Sequence, residues 1–270
     1  MDKCLSGLVF QSFMALVFVG CSSVEIKEKV YQPNQIEVEI YTDKPASEMT
    51  DMVIVLPPTG GATYLENYYA KALAKRGFYV VKVLGWERPN NYDLDLNIHR
   101  KLLTKAHNVV ETIVKEENSF QSYSLLGTSL GGIHSSISLG QIDKIKTAVI
   151  ITAGAPVSEV IANSTESGLS KIREKRFADL NLKNMEEYEE ALRHTGIPNA
   201  LDYEESLKKK NVFLVMALKD KSVPIKNQEM LLKAIEPKKV LKYNSGHFWT
   251  IVKTWLFNSD EVISFIDENR

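Results

Sequence analysis

Apolar positions along the chain switch between two periods. Residues 36–41 place an apolar side chain at every second position, which predicts a strand with one buried face. Met52-Val53-Ile54-Val55-Leu56 is a continuous apolar run, as expected of a strand buried on both faces. Similar runs predict strands at 78–83, 123–126, 147–151, 212–217 and 239–243. Helical spacing fills the gaps. Thr63-Tyr64-Leu65-Glu66 has the form of a capping box, with Leu65, Tyr69, Ala72 and Leu73 on one side and Gly77 as the stop. A longer helix over about 94–117 carries Leu102, Ala106, Val109, Val110, Ile113 and Val114 at helical spacing. Further helices are predicted from Leu130, over about 224–235, and in the C-terminal segment holding Trp249, Trp255, Ile263 and Phe265.

Strands alternating with helices imply a mostly parallel central sheet flanked by helices. Between Pro156 and Lys210 strand-like runs vanish and charge rises. Asn184-Met185-Glu186-Glu187 reads there as a helix start, with Met185, Tyr188 and Leu192 on one face and Gly196 and Pro198 ending it. This stretch, about 156–210, is expected to be a helical insertion. Its two readings are a solvated excursion and a cap over a site.

Composition narrows the partners. The chain has 270 residues, enough for one large domain or one domain with an insertion. Its formal net charge is −1, so no nucleic-acid partner is expected. Both of its cysteines, Cys4 and Cys21, lie near the N-terminus, so the body holds no disulfide and no Cys-x-x-Cys metal site. No His-Glu-x-x-His spacing occurs either, and no metal or other cofactor is expected.

The N-terminal stretch reads as a targeting segment. Lys3 precedes an apolar run from Leu5 to Val19, shorter than the roughly 20 residues of a membrane span. It ends in Phe18-Val19-Gly20-Cys21-Ser22-Ser23, which resembles the lipobox of bacterial lipoproteins, with Phe18 where leucine is usual. The resemblance implies a signal peptide over 1–20, lipidation of Cys21, a tether over 21–35, and a body over 36–270. It also implies export and lipid anchoring to a bacterial cell envelope. The competing reading is an uncleaved hydrophobic anchor or an odd cytoplasmic leader.

Three segments carry candidate chemistry. In Leu125-Leu126-Gly127-Thr128-Ser129-Leu130-Gly131-Gly132, one hydroxyl stands between glycines after an apolar strand and before a helix. A sharp strand-to-helix turn crowds its neighbours, so small flanking residues suit a Ser129 held on the point of the turn. A serine hydroxyl needs a base within hydrogen-bond reach to act as a nucleophile. Of five histidines, only His247, in Asn244-Ser245-Gly246-His247-Phe248-Trp249, follows the last strand in a loop able to reach the sheet edge. His99 and His107 fall on the long helix, His134 on the helix after Ser129, and His194 at a helix end in the insertion. Asp220, in Lys219-Asp220-Lys221-Ser222-Val223-Pro224, closes a buried strand, where it could serve as a turn residue or orient the histidine.

The order Ser129, Asp220, His247 resembles the α/β-hydrolase superfamily, which has a nucleophile elbow, then an acid after a later strand, then a histidine after the last strand. The resemblance spans roughly residue 50 to the end. It implies an α/β-hydrolase fold and a serine hydrolase acting on a small-molecule acyl substrate, first a carboxylic ester or thioester, without a cofactor. It implies an oxyanion hole from the Leu130 amide and one amide of Pro57-Pro58-Thr59-Gly60-Gly61. The prolines have no N–H, so Gly60 leads, with Thr59 and Gly61 beside it. Glu159, after the preceding strand, is the rival acid. Tyr64, Trp86, Phe248 and Trp249 are aromatic candidates for lining a pocket, or for plain core. A serine peptidase, an acyltransferase with a dry site, and a non-catalytic binding lipoprotein are the competing functions.

Overall fold

The computed structural model describes residues 24–32, 35–89 and 94–270. The signal peptide expected over 1–20, the lipidation site Cys21, Cys4 and the first tether residues all lie outside the described residues. One eight-stranded sheet has the order β1-β2-β4-β3-β5-β6-β7-β8. Its strands are Glu25–Tyr31 (β1), Ile36–Thr42 (β2), Asp51–Leu56 (β3), Tyr79–Val83 (β4), Ser122–Thr128 (β5), Ile145–Ile151 (β6), Asn211–Ala217 (β7) and Lys239–Tyr243 (β8). Pairing is parallel from β4 across to β8, and β2 is antiparallel to both β4 and β1.

Helices Tyr64–Lys75 (α1), Ile98–Glu116 (α2), Leu130–Gln141 (α3), Val157–Asn163 (α4), Ser167–Asp179 (α5), Met185–Arg193 (α6), Glu204–Leu207 (α7), Ile225–Ile235 (α8) and His247–Glu268 (α9) complete the chain. The apolar runs now have a cause. Met52, Ile54 and Leu56 of β3 join one core cluster, with Leu103 of α2 and Ile137 of α3. Val53 and Val55 point the other way, into a cluster with Leu73 of α1 and Val262 of α9. A strand covered by helices on both faces has no polar side to alternate with.

Connectivity places the site. After β3 the chain moves out to β4, then returns across β3 to form β5. The loops leaving β3 and β5 therefore diverge from neighbouring strand ends, where Leu56 pairs with Gly127. Open α/β sheets bind ligands outside the carboxyl ends of strands at such a reversal.

Two expectations need correcting. Residues 25–31, assigned to the tether, form an outer strand paired along its length with β2. Glu-Ile-Lys-Glu-Lys-Val reads as a solvated segment because an edge strand keeps charge on its open faces, which also deters edge pairing. The long helix starts at Ile98 rather than 94, because the Asp95 carboxylate accepts the Asn97 N–H at 2.9 Å and holds a turn there. The C-terminal segment is helical as expected, in two stretches that meet at a kink at Asn258, φ −133°, and together make α9. The capping box does form: Thr63 Oγ1 accepts the Leu65 N–H at 3.1 Å and the Glu66 carboxylate accepts the Thr63 N–H at 2.8 Å.

Close approach explains one glycine outright. A Cβ on Gly131 would fall inside the Leu56 carbonyl group, at the end of β3. Only a bare Cα lets α3 start against that backbone. Gly131→Ala is expected to cost about 3 kcal/mol of stability, the upper range for overpacking a rigid contact. A urea midpoint equal to the parent's would show that α3 can shift freely.

Candidate active site

Ser129 stands between β5 and α3 with φ 56° and ψ −116°. A non-glycine residue in this region is strained, of order 1–3 kcal/mol, and persists only where its surroundings hold it. Here the Ser129 N–H donates to Ile151 O at 2.8 Å and its carbonyl accepts the Ile133 N–H at 3.0 Å. Gly127 and Gly132 add room, since a Cβ on either would meet α3 or Ala153. The turn places the hydroxyl at the carboxyl edge of the sheet, between the end of β5 and the start of α3.

His247 is the first residue of α9, just past β8. Its Nε2 lies 2.8 Å from Ser129 Oγ and its Nδ1 lies 2.6 Å from Asp220 Oδ2. Asp220 follows β7 in a turn. Its Oδ1 accepts the N–H groups of Ser222 at 2.8 Å and Val223 at 2.9 Å. The Asp220 side chain is 0% exposed and that of His247 18%. A buried carboxylate surrounded by donors fixes the ring so that Nδ1 carries the proton and Nε2 accepts from the serine. Such a chain can take a proton from the hydroxyl and hold the resulting imidazolium.

Sequence reasoning missed Gln228. It sits on α8 fully buried, donates from Nε2 to Asp220 Oδ2 at 3.1 Å and to Val223 O at 2.8 Å, and accepts the Ala217 N–H at 2.9 Å. It ties the end of β7 to the acid turn and supplies a fourth donor to Asp220. Its only sequence signal was a polar residue on the buried face of an amphipathic helix.

Glu159, the rival acid, faces elsewhere. Its Oε2 pairs with Lys226 Nζ at 3.0 Å and lies 3.4 Å from Asn227 Nδ2. The other histidines are apart from Ser129 Oγ. His99 is buried, with Nε2 2.9 Å from Arg176 Nη1, and burial together with that guanidinium pulls its pKa down to about 3. His134 is pulled down to about 3 by burial and by nearby His107, and its ring packs 4.5 Å from that of Trp86. His194 is exposed at the end of α6, beside Glu190.

In the β3 loop, the Gly61 N–H is already used, donating to Pro58 O at 2.9 Å, and the Ala62 N–H donates to Leu84 O. Thr59 and Gly60 line the cleft alongside Ser129 and Leu130. Trp86 Nε1 donates to Pro57 O at 2.7 Å and pins this loop. The cleft has a volume of about 1180 Å³. Its walls are mainly apolar, and include Leu102, Leu103 and Ala106 of α2, Val160 and Ile161 of α4 and Ile172 of α5. The helical excursion between β6 and β7 thus forms one wall. Tyr64, Trp86 and Phe248 line the cleft as expected, while Trp249 does not and lies 62% exposed outside it. Among the described residues no group of three or more metal-ligating side chains occurs.

No protein-family model matches the chain. No curated protein matches it in sequence. Solved structures do match in shape. An acylaminoacyl peptidase of Pyrococcus horikoshii superposes with a TM-score of 0.64 at 15% identity, over 94% of this chain and 42% of that one. An esterase of Pyrococcus furiosus gives 0.58 at 15% identity, over 91% of this chain and 92% of that one. A puromycin-hydrolyzing peptidase of Mycobacterium tuberculosis gives 0.64 at 12% identity, over 92% of this chain and 40% of that one. The chain therefore spans less than half of the two peptidases and nearly all of the esterase. The architecture they share with it is the α/β-hydrolase fold, as the order of its motifs implied.

Proposed function

We propose that this chain is a serine hydrolase that cleaves carboxylic esters or thioesters through an acyl-enzyme. One observation carries the reading: the unbroken chain Ser129 Oγ, His247 Nε2, His247 Nδ1, Asp220 Oδ2, with links of 2.8 and 2.6 Å, at the edge of an apolar cleft. In the first step Ser129 Oγ bonds to the substrate carbonyl carbon and its proton passes to His247 Nε2. The oxyanion is held by the Leu130 amide and an amide of the β3 loop, for which Gly60 and Thr59 are the candidates and Gly61 is not, being already bonded. Collapse expels the alcohol or thiol, which takes the proton from His247. Water, deprotonated by the same nitrogen, then releases the acid and restores Ser129. The apolar cleft favours an acyl chain as the bound group over a charged peptide.

The test is stoichiometric labelling with a fluorophosphonate, in which Ser129 Oγ would bond to phosphorus and fluoride would leave. Intact mass is expected to show one adduct on the parent and none on Ser129→Ala. A folded parent that stays unlabelled, or a variant that labels equally, removes Ser129 as an activated nucleophile and favours a binding role.

A further inference from the structure

The five most exposed large apolar side chains among the described residues are Phe257 (73%), Tyr64 (70%), Phe248 (65%), Trp249 (62%) and Leu256 (54%). They belong to the first half of α9 and the first turn of α1, which meet where Tyr64 packs edge-on against Trp255 with centroids 5.9 Å apart. The inner face of this half of α9 is mixed, with Ile251 and Trp255 packed against the core. Inward the helix also presents Thr250 and Thr254, both fully buried, whose hydroxyls bond to Ser245 Oγ and to Thr250 O at 2.8 Å. Outward it presents Trp249, Leu256 and Phe257. Scattered apolar residues on a surface need no explanation, but a continuous run of them does.

Charge along the exposed stripe of α9 and the turn beside it is mainly basic, while the acids Glu37 and Glu87 stand on the cleft lining. From Phe248 to Ser259 the only charged residue is Lys253. Exposed Lys219 adjoins the start of α9, its N–H bonded to Ser245 O at 3.0 Å, and exposed Lys221 follows it. Asp260 is the one exposed acid at the far end of the stripe.

We propose that this face docks on an anionic lipid surface and, building on the hydrolase reading, that the cleft takes its acyl substrate from that surface. Aromatic side chains with neighbouring lysines suit the boundary between headgroups and acyl chains. Position selects lipid over a second copy of the chain. Tyr64 and Phe248 are both exposed and part of the cleft lining, so a protein seated here would cover the entrance. A fluid lipid layer leaves it facing acyl chains. No helix among the described residues is long and apolar enough to cross a membrane.

The full chain is mixed with vesicles of phosphatidylcholine, with and without phosphatidylglycerol, carrying brominated acyl chains that quench nearby tryptophan. The expected result is stronger binding to the phosphatidylglycerol vesicles, with quenching of a component that Trp249→Phe deletes. The triple variant Trp249→Ser/Leu256→Ser/Phe257→Ser should bind at least roughly tenfold more weakly, as three apolar side chains lose their burial. It should still hydrolyse a soluble short-chain ester at the parent's rate. Vesicle binding without quenching of Trp249, no preference for phosphatidylglycerol, or a dimer in solution that the triple variant dissolves would each overturn the proposal. Binding is read without turnover, so a parent that binds as expected but hydrolyses no ester counts against the hydrolase reading alone.

Discussion

Ser129→Ala is expected to lower kcat on a soluble ester by roughly 10⁴- to 10⁶-fold, with KM little changed. The hydroxyl is the only atom removed, and it meets no part of the core. Its partner is His247 Nε2 at 2.8 Å. Backbone strain separates this loss from any loss of fold. Alanine keeps a Cβ, so φ 56° remains as costly as before and stability should stay close to the parent's. Ser129→Gly removes the Cβ as well. It should abolish turnover equally but raise stability by about 1 kcal/mol, since glycine adopts positive φ without penalty. The opposed movement of stability and rate, read by urea midpoints and steady-state kinetics, is the signature of a residue held in strain for its chemistry. If glycine instead destabilises the fold, the elbow is an ordinary turn whose serine packs usefully.

The sheet was legible in the sequence wherever burial was complete. Residues 52–56 and 212–217 read as strands covered on both faces, and β3 and β7 are. What stayed hidden was structure held by pairing rather than by burial. Glu25–Tyr31 exposes most of its side chains, so its place depends on seven backbone partners in β2 that no periodicity records. The site followed the same division. Ser129, Asp220 and His247 were legible as residues because each follows a strand in a fixed chain order. Their convergence comes from strand order: β5 lies two places from β7 and three from β8, so the loops after these strands reach across one sheet edge. Gln228 was not legible. Its role arises from a helix face turned toward a carboxylate, and a polar residue on the buried face of an amphipathic helix does not show what it will meet. The β3 loop shows a further limit. Composition excluded its prolines as donors, but only the Pro58–Gly61 turn reveals that one glycine amide is already taken.

Asp220→Asn should cost roughly 10⁴-fold in kcat while leaving the fold intact, and Glu159→Gln should leave kcat within about threefold of the parent. The difference lies in what each carboxylate faces. Asp220 meets donors on every side: Ser222 and Val223 N–H at Oδ1, Gln228 Nε2 and His247 Nδ1 at Oδ2. An asparagine has one acceptor oxygen and one amino group for these two positions. The two backbone donors are fixed, so the oxygen turns to them and the amino group turns toward the imidazole. His247 must then accept at Nδ1 and carry its proton on Nε2, where it points at Ser129 Oγ and can no longer take the serine's proton. The partners of Glu159 are different. Lys226 is 73% exposed, and a surface pair of this kind contributes ~0–1 kcal/mol. Steady-state turnover of a short-chain ester with each variant, alongside urea midpoints, decides the matter. Full activity in Asp220→Asn would mean that the ring keeps its tautomer without this carboxylate. The orienting role would then pass to another group, and loss of activity in Glu159→Gln would identify it.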